Sequence, residues 1–172
     1  YFKAEVESGS KELIYFPGDD GALVIENSVF EGASSGTGAA LYAPGVNSVT
    51  IRNSTFFNFT DEVMYLPVED YIAVYNSTFF NNSSPKDDGV GYWLADDSII
   101  FVNSSFVNNT SLDGSETGAV DARSDLIKVI NTTFDNNSPS FGSENSYNIV
   151  MHNSHMSNSL ALIHISEPTR PS

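Results

Sequence analysis

The stretch NSTFFNN (residues 76–82) and its near copies NSTFFNF (53–59), NSSFVNN (103–109) and NTTFDNN (131–137) decide the fold. Two explanations compete for a polar phrase written repeatedly around one Phe. The phrase is full of Asn-x-Ser/Thr, which suits a glycosylated surface, and it also suits a structural repeat in which one turn of backbone is copied and stacked. Alignment on the first Asn separates them. That residue recurs as Asn27, Asn53, Asn76, Asn103, Asn131 and Asn153, at intervals of 26, 23, 27, 28 and 22 by subtraction.

The residues around this column keep a fixed frame. Two places before the Asn stand Ile25, Ile51, Val74, Phe101, Val129 and Met151, and four places before it Leu23, Val49, Ile72, Ile99, Ile127 and Ile149, all apolar. Between them the choice is free. Apolar residues at period two describe a short strand with one buried face. Three places after the Asn come Phe30, Phe56, Phe79, Phe106, Phe134 and Met156, always large and apolar, and these read as a core stack.

A unit of this length cannot bury its own core, so the copies must stack. No ten-residue stretch carries helical periodicity, and the text is rich in β-branched residues, Asn and Gly, which excludes helical solenoids. The reading is all-β: a single-stranded parallel β-helix of about six to seven coils, each lying ~4.8 Å above the last. Asn tolerates the left-handed conformation that sharp turns between strands require. Stacked Asn side chains can then hydrogen-bond from coil to coil.

A second Asn column at Asn58, Asn81, Asn108, Asn136 and Asn158 fits the bend after the Phe, with Gly32 at the same place in the first coil as another left-handed position. The sequons at Asn53, Asn58, Asn76, Asn81, Asn82, Asn103, Asn108, Asn109, Asn131 and Asn136 follow from this turn chemistry. A third, less regular strand is expected at GAALYA (38–43), VMYL (63–66), GYWLA (91–95) and GAVDA (118–122), preceded by loops of variable length.

Composition bounds the partners. The chain has 172 residues, 40% of them hydrophobic, and 7 basic against 22 acidic residues give a formal charge of −15. That balance repels phosphate backbones and anionic membranes, so nucleic acid is not an expected partner, and cations, metals or basic surfaces remain open. There is no cysteine, hence no disulfide framework and no thiolate metal site. No segment approaches the ~20 apolar residues of a membrane span, so no direct membrane insertion is expected. The chain starts at Tyr1 without an initiating Met or a signal peptide and reads as a piece of a longer protein. The β-helix is assigned to residues 1–161. Residues 162–172 drop the Asn/Ser/Phe idiom, resemble translated adapter read-through, and are set apart as a candidate non-native tail.

From about residue 21 to 159 the pattern resembles right-handed parallel β-helices of the pectin-lyase-like superfamily. In repeat style it is similar to polymorphic outer membrane protein repeats, which pair GGA(I/L/V) with FxxN. FFNN (79–82), FVNN (106–109) and FDNN (134–137) match the second motif, TGAAL and TGAVD approximate the first, and FFNF at Phe56 and FEGA at Phe30 depart from it. The resemblance implies an extracellular or cell-surface location. It implies one of two functions: a rigid scaffold for adhesion or glycan binding, or a polysaccharide lyase or glycoside hydrolase. The expected partner is a polysaccharide or a host or cell-surface glycan. The non-enzymatic reading is favoured because no polygalacturonase-type acid and histidine set, phosphate loop or nucleophile elbow is present.

Lyase chemistry needs acids for calcium and a basic proton acceptor, and hydrolysis needs two carboxylates at a set separation. If Gly91 and Gly118 share a frame, Asp96 stacks beside Arg123 and Leu94 beside Asp121, so Asp96, Asp121 and Arg123 are the catalytic candidates. Asp97 and Asp125 precede equivalent strands and extend an acidic patch. The plainer alternative is solvated acids at turns plus one exposed ion pair, in which case Asp121→Ala is nearly neutral. Asp19/Asp20 and Asp87/Asp88 precede Gly and read first as turn signals; Asp87 and Asp88 are the calcium candidates, and no other cofactor is expected. His152, His155 and His164 read as surface residues. Tyr75 and Tyr92 are the binding candidates, among tyrosines (Tyr65 and Tyr71 included) and Trp93 that could form a sugar-stacking platform, with Tyr75 the most exposed ring.

Overall fold

A computed structural model of the chain describes residues 2–3, 12–18, 20–32, 38–85, 91–111, 119–138, 141–146, 148–157 and 161–165. Every paired strand among them is parallel, and the strands build three walls of a β-solenoid. Wall A carries the irregular third strand: Ile14–Tyr15, Leu41–Tyr42, Met64–Val68, Gly91–Ala95, Asp121–Arg123, Phe141–Ser146 and Ala161–Ile165. Wall B carries the strand before each ladder Asn: Ala22–Glu26, Ser48–Arg52, Tyr71–Tyr75, Ser98–Val102, Leu126–Ile130 and Asn148–His152. Wall C carries the Phe: Phe2–Lys3, Val29–Glu31, Thr55–Phe57, Thr78–Phe80, Ser105–Val107, Thr133–Asp135 and His155–Ser157. A short fourth ladder pairs Ser83–Ser84 with Thr110–Ser111.

The expected six to seven coils correspond to walls of seven, six and seven strands, but the closed core spans four of them. Coils between residues 41 and 135 bury their inward side chains, whereas Met151, at a core position of a terminal coil, is 38% exposed. A coil with a neighbour on one side only cannot close its interior. The wall A strand Ala161–Ile165 runs across residue 162, where the sequence changes idiom.

The inward column of wall C stacks ring on ring. Phe30, Phe56, Phe79, Phe106 and Phe134 follow one another with centroids 4.6 to 5.0 Å apart and planes within 6°. Met156 continues the register and packs on the same core. Trp93 of wall A meets Phe79 and Phe101 edge-on at 5.8 and 5.5 Å, so the aromatic core crosses from wall to wall. Gly91 makes room for it: a Cβ there would sit 2.0 Å from the indole Nε1.

Both Asn columns occupy the bends. Apart from Asp20, every non-glycine residue of positive φ among the described residues is an Asn, with φ between 48° and 59°. At the first bend the Nδ2 of Asn53, Asn76, Asn103 and Asn131 donates to the Oδ1 of the preceding ladder Asn at 3.1 to 3.3 Å. Asn153 shares the conformation, with φ 48°. At the second bend Asn108 and Asn136 donate to Asn81 and Asn108 at 3.2 and 2.7 Å. Gly32 is not left-handed. It is needed because a Cβ would come within 2.4 Å of the Phe59 Cα in the next coil. Asn158 lies outside the described residues.

Two further columns escaped the sequence reading. Ser28, Ser54, Ser77, Ser104, Thr132 and Ser154 follow the ladder Asn, and the backbone N–H of each of the first five donates to the hydroxyl of the next coil's residue at 3.1 to 3.4 Å. Each hydroxyl in turn donates to the carbonyl two residues earlier.

Asn82, Asn109 and Asn137 form a buried amide ladder. Asn82 and Asn109 each donate Nδ2 to the next Oδ1 at 3.0 Å, and those oxygens also accept the Asn82 and Asn109 backbone N–H groups. All three amides reach a core carbonyl, of Phe56, Phe79 or Phe106. Asn82 and Asn109 are therefore sequons in name only: they are at most 1% exposed.

Phe106→Ala is expected to destabilise the fold by ~3–5 kcal/mol, because rings clamped on both sides cannot collapse into the space. Asn109→Ala, which strands buried donors and acceptors on two coils, should cost ~2–4 kcal/mol. Urea midpoints check both. An Asn109→Ala midpoint equal to that of the unaltered chain would contradict the buried ladder.

Candidate functional site

Of the sequence candidates, Tyr92, Asp121 and Arg123 lie on the strands of wall A and Asp96 at the bend that follows. Tyr15, Tyr42, Tyr65 and Tyr92 stack along wall A with centroids 5.6, 4.8 and 5.3 Å apart and planes within 19°. Ring faces are thus turned onto one another, which leaves the ring edges of the column to solvent. A platform for stacking sugars needs exposed faces, so the inner rings of this column do not supply one. Tyr92 pairs in register with Asp121, which takes the next place in the column, while Leu94 pairs with Arg123.

This register corrects the expected frame. Arg123 lies opposite Leu94 and not opposite Asp96, and Asp121 lies opposite Tyr92 and not opposite Leu94. The cause lies before the strand. Between the rungs Ser84↔Ser111 and Tyr92↔Asp121 one coil has seven residues and the next has nine, so Gly118 falls two places short of the position in register with Gly91. Gly118 itself lies outside the described residues.

Asp121 and Arg123 form one unit. The Arg123 Nη2 and Nε donate to the two carboxylate oxygens of Asp121 at 2.8 and 3.2 Å, and the guanidinium lies 5.2 Å from the Tyr92 centroid. The Asp121 side chain is wholly buried and that of Arg123 is 28% exposed. The expectation of an exposed, weakly coupled pair is therefore wrong. A guanidinium bound bidentately to a buried carboxylate is held charged, which suits anchoring and not proton abstraction.

The remaining acids stack along the bend between walls A and B. The Asp96 N–H donates to the Glu69 carbonyl, that of Asp97 to Asp70 and that of Asp125 to Asp96, so three successive bends carry exposed carboxylates. Asp96, Asp97 and Asp125 face solvent there, as turn residues do. No three Asp, Glu, His or Cys side chains converge as a metal cage among the described residues. Asp19, Asp87 and Asp88 lie outside those residues. Asp20 is exposed at a left-handed turn. His152 and His155 are exposed on walls B and C, and His164 belongs to the last strand of wall A.

Tyr75 is half-buried on wall B beneath the Arg52 guanidinium, 5.8 Å from its centroid. The more exposed rings are Tyr15, at 60%, and Tyr71, at 40%. Tyr92, Leu94, Ala95, Asp96, Arg123, Ser124 and Asp125 together line an open concavity of about 550 Å3. Asp96 and Arg123 share this surface even though they do not share a rung.

A family model described as a right handed beta helix region matches residues 3–167. The chain belongs to the right-handed β-helix family. Its three parallel walls and single-stranded coils are that architecture, and the handedness is the family's. No curated protein and no solved structure shows a significant match. Membership fixes the scaffold of this right-handed β-helix and leaves its chemistry to the walls.

Asp121→Ala should destabilise by about 1–2 kcal/mol, less than a fully buried pair because Arg123 is partly solvated. Asp96→Ala at its exposed bend should stay within ~0.5 kcal/mol of the unaltered chain. Thermal or urea unfolding distinguishes them, and equal stability of the two variants would contradict the burial of Asp121.

Proposed function

We propose that this segment is an extracellular or cell-surface scaffold that binds glycan on wall A and performs no chemistry there. The observation that carries the reading is the 550 Å3 concavity, whose lining joins Tyr92 and Leu94 to the charged groups of Asp96, Arg123 and Asp125. Its volume lies within the range of small-ligand sites. Carboxylates and a guanidinium offer the acceptors and donors that sugar hydroxyls need, and Leu94 with the Tyr92 edge offers an apolar strip for the ring carbons. Rung pairing holds these groups before a ligand arrives, which lowers the ordering cost of binding.

The competing enzymatic reading draws on the same residues. It requires a base and an acid free to act, and the commitment of Arg123 to Asp121 and Tyr92 speaks against it. Incubation with neutral and uronate-containing oligosaccharides, with and without calcium, separates the readings when retention and new reducing or unsaturated ends are followed together. The scaffold reading expects retention without cleavage, and a loss of about tenfold in affinity for Tyr92→Ser, equivalent to ~1.4 kcal/mol. Cleavage abolished by Asp96→Asn would establish an enzyme instead.

A further inference from the structure

The outer face of wall C is uncharged over the three coils between Glu31 and Asp135. Four columns run up it and its flanking bends in register: Asn53, Asn76 and Asn103; Thr55, Thr78 and Ser105; Phe57, Phe80 and Val107; and Asn58, Asn81 and Asn108. None of these residues is charged, although the chain as a whole carries a formal −15. The nearest acids on the wall, Glu31 and Asp135, stand on the coils above and below this block.

Most amides on this face are fixed as well as neutral. Asn53, Asn76, Asn103 and Asn108 each spend one N–H and one oxygen lone pair on their neighbours, which leaves a second donor and a second acceptor on the same amide directed by the first pair. The Ser105 hydroxyl donates to that of Thr78 at 3.2 Å, which sets the Ser105 rotor. Phe57 and Phe80 stack with centroids 4.9 Å apart and give the middle column a continuous apolar edge. Amide, hydroxyl, apolar and amide columns thus repeat at each rung of ~4.8 Å.

We infer that this face binds an uncharged polysaccharide chain running along the solenoid axis. Lack of charge is the selective feature: a polyanion finds no cation here and is repelled by the rest of the chain, whereas a neutral chain meets no desolvated charge. The apolar column suits ring C–H groups, and the flanking amides and hydroxyls suit sugar hydroxyls. Three rungs and four columns give a footprint of roughly 250–300 Å2, well below the ~800 Å2 per partner of a stable protein interface. A repetitive polymer gains from meeting the same set of groups at every rung. This face is separate from the wall A concavity, and either can fail alone.

The test is retention of the full chain on cellulose and mannan as neutral probes, with polygalacturonate as the anionic one. Thr78→Asp, and Ser105→Asp one rung away, place a charge in the face at outward positions, and their urea midpoints confirm that they fold. Retention on a neutral probe is expected to persist at high salt and to fall about tenfold in each variant. Absence of retention on both neutral probes would overturn the inference. So would retention indifferent to both Asp variants, or retention confined to polygalacturonate and removed by salt.

Discussion

The backbone of each coil must reverse its course at fixed points with positive φ, and the rest of the structure depends on an L-residue that accepts this. Asparagine does so at both bends that flank wall C, at φ near 50°, where most side chains are strained. Once the bends are set at equal distances from the Phe, successive Phe residues fall on one another and the rings stack. Once the coils are in register, the same Asn side chains lie within hydrogen-bonding reach and close the ladders. Turn conformation, core stacking and ladder bonding are consequences of one placement. That is why the phrase repeats as a unit while the segments between repeats vary.

Polar residues inside the solenoid obey the same logic. The amides of Asn82, Asn109 and Asn137 are buried yet satisfied, each by a backbone carbonyl and by its neighbours in the column. The small hydroxyls after the ladder Asn take up the backbone N–H groups that the bend turns away from the sheets. The backbone thus finds partners at its corners as well as along its walls. Phe59 replaces Asn in this column one coil earlier, where the backbone of Gly32 comes closest. Large and small residues are traded between neighbouring coils there.

Walls B and C were legible in the sequence because their periodicity is strict: inward positions two and four before the Asn, and three after it, are apolar in every copy. Wall A was only half legible. Its strands stand out, but its glycines do not set the register, because two more residues between Ser111 and Asp121 than between Ser84 and Tyr92 move Arg123 away from Asp96. Burial of Asp121 depended on that register and on the bidentate reach of Arg123, neither of which leaves a local signal. The buried Asn ladder and the hydroxyl column were visible as residues and were absorbed into the sequon pattern. Their alternation between exposed and buried Asn at adjacent positions (81 and 82, 108 and 109) was the signal that could have separated them.

The central claim is that left-handed backbone, more than the amide itself, makes Asn necessary at the bends. Urea unfolding of Asn76→Ala and Asn76→Gly tests it directly, since both remove the same ladder bonds. In an ordinary position Gly is the worse substitute by ~0.5–1 kcal/mol because it gains more freedom on unfolding. At φ 48° the account predicts the reverse order, with Asn76→Ala less stable than Asn76→Gly by about 1 kcal/mol. If Asn76→Ala were as stable as Asn76→Gly, or more so, the bend would not impose the conformation on which the stacked coils are argued to rest.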